Sequence, residues 1–306
     1  MTSPVKAQRG SRRISGLAPL LALGLLHLCL VGCSTRLAKG LSENSLVGFL
    51  KSGQAEPLLD RVHRRPWRAD LMILPYVEFD DETITIRNVR NCRYRSESDY
   101  DVRHYDLRFV LSDVKSVDFI IVPFKETALL AHTMLSFGLV DGRHFVVSVE
   151  ARLEHDQDYS AVAGAGRRFP LTYIVADERD MILLRTLVRD VDVYLYPGRA
   201  DPQQVQDLLV DMLARVNKLH KDPEYYDSLT NNCTTNLVDH VNQLRPGRVP
   251  LDWRVLLPGH SDRLAYELGL LEIQGTFEYA RSQAQINPLA QAYADDPEFS
   301  KRIRRQ

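Results

Sequence analysis

The chain predicts an α+β fold, an antiparallel sheet packed against C-terminal helices, one of which carries a cysteine at its start. Two observations carry this. Between Trp67 and Tyr196, short runs rich in β-branched and aromatic residues recur at strand length. Beyond Asp201 the apolar residues fall three and four apart, which is the helical period. Strands first and helices after is the order of an α+β domain, whereas βαβ units alternate.

Residues 1–33 read as an address rather than as part of this fold. Lys6, Arg9, Arg12 and Arg13 make a positive start, and residues 17–31 are an apolar run short for a membrane span. The run ends in Leu30-Val31-Gly32-Cys33 before Ser34. That resembles a bacterial lipoprotein signal, in which cleavage precedes the cysteine and its sulfur takes a diacylglycerol. The resemblance implies a lipid anchor at Cys33 and a place on the periplasmic face of the cell envelope, at the inner or the outer membrane. Residues 34–60 read as a tether with one helix over 37–51, and the domain is expected over 61–306.

The signal carries four of the 39 Lys and Arg and none of the 40 Asp and Glu, so the remaining chain holds 35 against 40, a net charge of −5. That balance excludes an obvious nucleic-acid binder, which carries a basic surplus or face. It also removes Cys29 and Cys33 from the four cysteines. Cys92 and Cys233 remain and are expected to stay reduced, because a chain this long has core enough without a disulfide. The number of subunits is left open.

Strands are expected at residues 83–86, 117–122, 133–139, 145–150, 171–175 and 191–196. Asp201-Pro202 is a cap followed by proline at the first helical position, and Val205, Leu208, Leu209, Met212, Leu213, Val216 and Leu219 follow at helical spacing. A second helix begins at Cys233, with Asn231 or Asn232 as its cap and Leu237, Val238, Val241 and Leu244 as its buried face, and it stops before Pro246-Gly247. A third is expected over 261–270. The basic ending, with Lys301, Arg302, Arg304 and Arg305, is expected to be a solvated tail, with contact to anionic lipid heads as the alternative. The Arg- and Tyr-rich stretch 87–105 is expected to be a solvated strand face, with phosphate binding as its alternative.

A cysteine in the first turn of a helix meets unpaired amides and the positive end of the dipole, both of which favour thiolate. A nucleophilic thiol also needs a base, and the base needs a partner that orients it. Of the nine histidines, His27 leaves with the signal, and His63, His104, His144, His155, His220 and His260 sit in polar or turn-like surroundings. His240 lies about 10 Å along the helix from Cys233, too far for contact. His132 opens the strand 133–139, which Asp141-Gly142 turns into the strand beginning at Phe145. A three-residue loop with Gly142 left-handed opposes Leu135 with Val147 and Phe137 with Phe145, apolar on apolar, whereas a two-residue turn mixes polar with apolar. Burial selects the first register. It sets His132 opposite Glu150 and Met134 opposite Ser148 on the other face, a histidine beside a carboxylate.

With these residues in hand, the chain resembles the periplasmic domain of the Lnb-type lipoprotein intramolecular transacylase family. The resemblance rests on Val89-Arg90-Asn91-Cys92-Arg93-Tyr94-Arg95, Ala131-His132-Thr133-Met134-Leu135-Ser136-Phe137, Ser148-Val149-Glu150-Ala151-Arg152, and residues 225–235 with Asn231-Asn232-Cys233-Thr234-Thr235. The family is similar to permuted papain-like folds of the NlpC type, in which the histidine strand precedes the cysteine helix, the order found here. The resemblance implies acyl transfer through a thioester on a lipid or lipoprotein substrate. Cys233 is then the nucleophile and His132 the base. Glu150 orients His132, with Ser148 as its substitute, and helix-start amides with Asn232 steady the oxyanion. No cofactor is implied, and neither a metal-ligand spacing nor a nucleotide loop occurs.

Two other readings remain open. A papain-like amidase acting on cell-wall peptides needs a polar groove, and a non-catalytic envelope factor goes with a buried, occluded or disulfide-bonded Cys233. A deep apolar pocket at Cys233 is the mark of the lipid reading.

Overall fold

The computed structural model describes residues 65–157 and 169–304; the signal segment with Cys33, and the tether with its expected helix, lie outside them. Along the chain run α1 (Ala69–Met72), β1 (Tyr76–Asp80), β2 (Thr83–Arg90), β3 (Arg93–Tyr94), β4 (Tyr100–Asp101), β5 (His104–Val110), β6 (Val114–Phe124), β7 (Thr127–Leu139) and β8 (His144–Ala151). Then follow β9 (Leu171–Asp177), α2 (Glu178–Leu183), β10 (Tyr194–Pro197), α3 (Pro202–Lys221), α4 (Cys233–Leu244), α5 (Trp253–Leu256), α6 (Ser261–Glu267), α7 (Phe277–Ala284), α8 (Asn287–Ala292) and α9 (Phe299–Arg302).

The main sheet has the order β1-β2-β9-β8-β7-β6-β10, with β5 also on β2. It is mixed rather than wholly antiparallel, because β9 meets β2 in parallel at Arg90 and Ala176. Such a neighbour needs a long crossover, and the excursion through β5 to β8 supplies it. The β7–β8 register is the one that burial selects: Leu135 pairs with Val147, Phe137 with Phe145 and Met134 with Ser148. Gly142 has φ of 85°, the left-handed position of the three-residue loop, where a side chain would be strained.

The predicted strands all form, most of them longer than expected. Short β1, the β5 edge, α2 and the helices after 276 carry weak periodicity and were not anticipated. α3 begins with a reciprocal cap, Gln204 N–H to Asp201 Oδ1 at 2.9 Å and Asp201 N–H to Gln204 Oε1 at 3.2 Å, with Pro202 behind it. Its seven apolar residues are buried as expected. α4 is built alike, with Thr235 N–H to Asn232 Oδ1 at 2.9 Å and Asn232 N–H to Thr235 Oγ1 at 2.8 Å.

Three expectations about faces are corrected. On α4 the buried positions are Cys233, Thr234, Asn236, Leu237 and His240. Val238 and Val241 are half-buried and Leu244 is exposed. The helix is rotated because His240 and Asn236 are drawn inward by Tyr173, whose hydroxyl bonds His240 Nε2 at 2.7 Å and Asn236 Oδ1 at 3.1 Å. Asp211 holds the other histidine nitrogen at 2.6 Å.

The basic ending is not a solvated tail. Phe299 and Ile303 enter the core, and Arg304 reaches Asp118 on β6 at 2.6 Å and Glu178 on α2 at 2.6 Å. Two buried carboxylates on adjacent elements require a cation, and the tail supplies it. In the stretch 87–105, Arg87, Arg95 and Arg103 do face solvent, in exposed ion pairs. Arg90 does not, being buried between Asp180 at 2.8 Å and Asp70 at 3.5 Å. Cys92 and Cys233 are unpaired, as expected. Both are also buried, which for Cys233 is the mark set for the non-catalytic reading.

Candidate functional site

Three elements bring the site together. β7 presents His132, β8 presents Ser148 and Glu150 on the same face two residues apart, and the start of α4 presents Cys233. The loop before α4 is held by Asp227. Its backbone exchanges both hydrogen bonds with Asn231, and its carboxylate accepts from Leu229 and Thr230 at 2.9 Å each. Asn232 then caps the helix with its oxygen and donates one amide hydrogen to Ser228 O at 2.8 Å. On the other side, Gly259 lies against the backbone of Ala128 and Leu129, too close for any Cβ. That approach carries Pro258 and Leu256 to the edge of the same cavity.

The polar order around His132 differs in detail from the expectation. Its Nε2 lies 2.8 Å from Ser148 Oγ and 3.7 Å from Glu150 Oε1, so Ser148 is the direct partner and Glu150 stands behind it. Glu150 is buried. Burial pushes its carboxyl up, but Arg90, His132 and Arg185, with the Ser148 hydrogen bond, bring it down to about 2. An ionised carboxylate only accepts, so the Ser148 hydroxyl donates to it, at 3.0 Å, and accepts from the ring. His132 therefore carries a proton on Nε2 for Ser148, and Nδ1 is the nitrogen that exchanges a proton with its other neighbour.

Cys233 is 4% exposed and lines the cavity with His132 and Glu150. Its sulfur lies 3.9 Å from Ala131 O and 3.8 Å from Thr234 Oγ1. Burial pushes the thiol up; the hydrogen-bonding capacity and charge of His132, with smaller help from Thr133, more than offset this and bring it to about 6. Cys92 goes the other way, raised to about 11 by burial and by Asp180. The two cysteines are thus chemically unlike.

The cavity measures about 480 Å³, within the usual range for small-molecule pockets. Its lining is mixed: Arg68, Lys125, Arg185 and Arg189 stand with Glu97, Glu126 and Glu150, and Leu130, Leu256 and Pro258 are apolar. It is not the deep apolar pocket that marks a pure lipid site. Arg185 was missed by the sequence reading. It sits in the π turn Leu184–Val188 that continues α2, 3.6 Å from Glu150, and burial pulls its guanidinium down to about 10. A lone arginine in the apolar run 181–188 is the signal that could have found it.

Among the described residues no helix is long and apolar enough to cross a membrane. No curated protein and no solved structure matches the chain. The model of the Lnb N-terminal periplasmic domain matches residues 100–259, a stretch that holds His132, Ser148, Glu150, Asn232 and Cys233. Over half its length, with Cys233, His132, Ser148, Glu150 and Asn232 inside the match, the chain belongs to the Lnb N-terminal periplasmic domain family.

Proposed function

We propose that this protein is a cysteine acyltransferase or deacylase of the cell envelope, acting on a lipid or lipoprotein ester from a domain spanning 61–306 of permuted papain-like type. Cys33 is its lipid attachment point and residues 34–60 its tether. The observation that carries the reading is that Cys233 and His132 line one cavity, with Ser148 and Glu150 hydrogen-bonded in line behind the ring; the lowered thiol agrees with it.

In this reading Cys233 sulfur attacks an ester carbonyl while Nδ1 of His132 holds the thiol proton. The tetrahedral oxyanion is met by the unpaired first-turn amides of α4 and by the second amide hydrogen of Asn232, which has no partner among the described residues. Collapse breaks the ester C–O bond. His132 returns the proton to the leaving alkoxide, and the acyl group stays on sulfur as a thioester. An amine or water then attacks the thioester and restores the thiol. Glu150, through Ser148, supports the imidazolium that forms between these steps.

The charged lining of both signs favours a second reading, an amidase on cell-wall peptides, whose amino and carboxylate groups those residues would meet. One experiment separates the two. The full chain is incubated with an alkyne-tagged palmitoyl phospholipid or with a muropeptide, and acylation is read by intact mass. A hydroxylamine-labile acyl group on wild type, absent from Cys233→Ala and His132→Ala, supports acyl transfer. Peptide cleavage without lipid transfer supports the amidase. Equal labelling of all three proteins removes Cys233 as the nucleophile.

A further inference from the structure

A second cavity, of about 460 Å³, lies on the other side of the first turn of α4. No described residue lines both cavities. Between them stands a buried hydroxyl pair, Thr133 Oγ1 and Thr234 Oγ1, 2.9 Å apart. The walls of the second cavity are largely apolar: Phe119 and Leu135 from the sheet, Leu208 from α3, and Leu264 and Leu268 from α6 and its end. Val238, Val241 and Leu244 complete it. They are three of the four residues whose spacing marks a buried helix face, and the chain leaves Val238 and Val241 half-buried and Leu244 exposed. A helix spending its apolar stripe on an open cavity is a standard feature of a ligand site.

Two polar observations bear on the ligand. The rim carries Arg199, Arg245 and Arg248 against one carboxylate, Asp207, which already accepts from Gln203 at 2.8 Å. The guanidinium groups of Arg199 and Arg245 have no ion-pair partner among the described residues, and Arg248 has only the carbonyl of Gly269 at 3.4 Å. Inside, Ser261 lines the cavity at 5% exposure, and its buried hydroxyl has no hydrogen-bond partner. An unsatisfied buried hydroxyl takes a water or a ligand oxygen, and with a ligand held by its charged end at the rim that partner is a water.

We infer that this second cavity binds one long-chain fatty acid, its chain along the Val238, Val241 and Leu244 face and its carboxylate among the rim arginines. The site does not depend on the thiol chemistry, and its test is independent of it. The full chain is titrated with palmitate, laurate and octanoate, each displacing a dansyl-labelled undecanoate. One saturable site is expected, its affinity falling about fourfold per methylene removed. Val241→Phe and Leu268→Phe, which fill the cavity from two sides, abolish displacement while keeping the wild-type melting curve. The double variant Arg199→Glu with Arg245→Glu weakens palmitate by up to about fivefold and leaves hexadecanol unchanged. Cys233→Ala binds as wild type. Absence of saturable binding overturns the assignment. So does binding that survives both filling variants, or that is lost in Cys233→Ala, since the ligand would then lie elsewhere.

Discussion

Replacing His132 by glutamine keeps the bulk of the side chain and removes the group that draws the Cys233 thiol down. In the native site burial raises the thiol, and His132 supplies the main opposing influence that leaves it at about 6. Without the ring, burial returns it to the ordinary thiol value of 9.0 or above. At pH 7 the native thiol is then about nine-tenths ionised and the variant about one-hundredth, a ratio of roughly 90. The rate does not fall by that factor, because a thiolate three units more basic is about 20 times the better nucleophile. The expected loss of alkylation at pH 7 is only about four- to fivefold, and the curves cross near pH ~8, above which the variant reacts faster. The assay is iodoacetamide modification against pH, read at each cysteine by peptide mass spectrometry. Cys92, held up near 11, serves as the slow internal reference. The reasoning is refuted if the two Cys233 profiles coincide, or if the native midpoint sits at 9 or higher.

Ser148→Ala leaves His132 Nε2–H and Glu150 without their shared partner, so it costs about 1–3 kcal/mol in urea melts. It slows acylation of Cys233 while the alkylation midpoint stays near the native one, because His132 is still beside the thiol. Asn232→Ala removes the cap of α4 and costs about 1 kcal/mol by the same melts, with an unchanged far-UV spectrum. Arg304→Ala strands Glu178 and Asp118 and costs about 3–5 kcal/mol, far more than removal of a surface arginine, which a denaturant titration against Arg87→Ala measures. Glu150 and Glu178 are both held down near 2, so their contribution to stability is complete above the ordinary carboxyl value of 4.5 and is lost as pH falls from there through about 2. Asp118, raised by burial, works the other way and blunts the slope. Acid unfolding is expected within that window, and Glu178→Gln flattens it.

The site was legible to an unequal degree. The β7–β8 register could be read in advance because only one pairing puts Leu135 and Phe137 on apolar partners, and a period of two then places His132, Ser148 and Glu150 on one face. The start of α4 could be read because Asn232, Thr235 and the apolar spacing after Cys233 are local signals. Which of Ser148 and Glu150 touches His132 could not be read. That choice turns on about an ångström between two acceptors and on the buried arginines that keep Glu150 ionised. Arg90 and Arg185 come from β2 and from the turn after α2, and nothing in their own neighbourhoods announces that they converge on Glu150.

The sequence by itself determined the strands-then-helices order, the hairpin register, and the caps of α3 and α4. All of these rest on contacts between residues near in the chain or on a period that burial enforces. Only the tertiary structure decided the parallel β2–β9 contact, the docking of Arg304 on Asp118 and Glu178, and the rotation of α4 that buries His240, leaves Val238 and Val241 half-buried and exposes Leu244. In each case the deciding partner lies tens of residues away or more. A buried charge or hydroxyl is satisfied by whichever element the fold brings within hydrogen-bond reach, and a local pattern carries no record of that element.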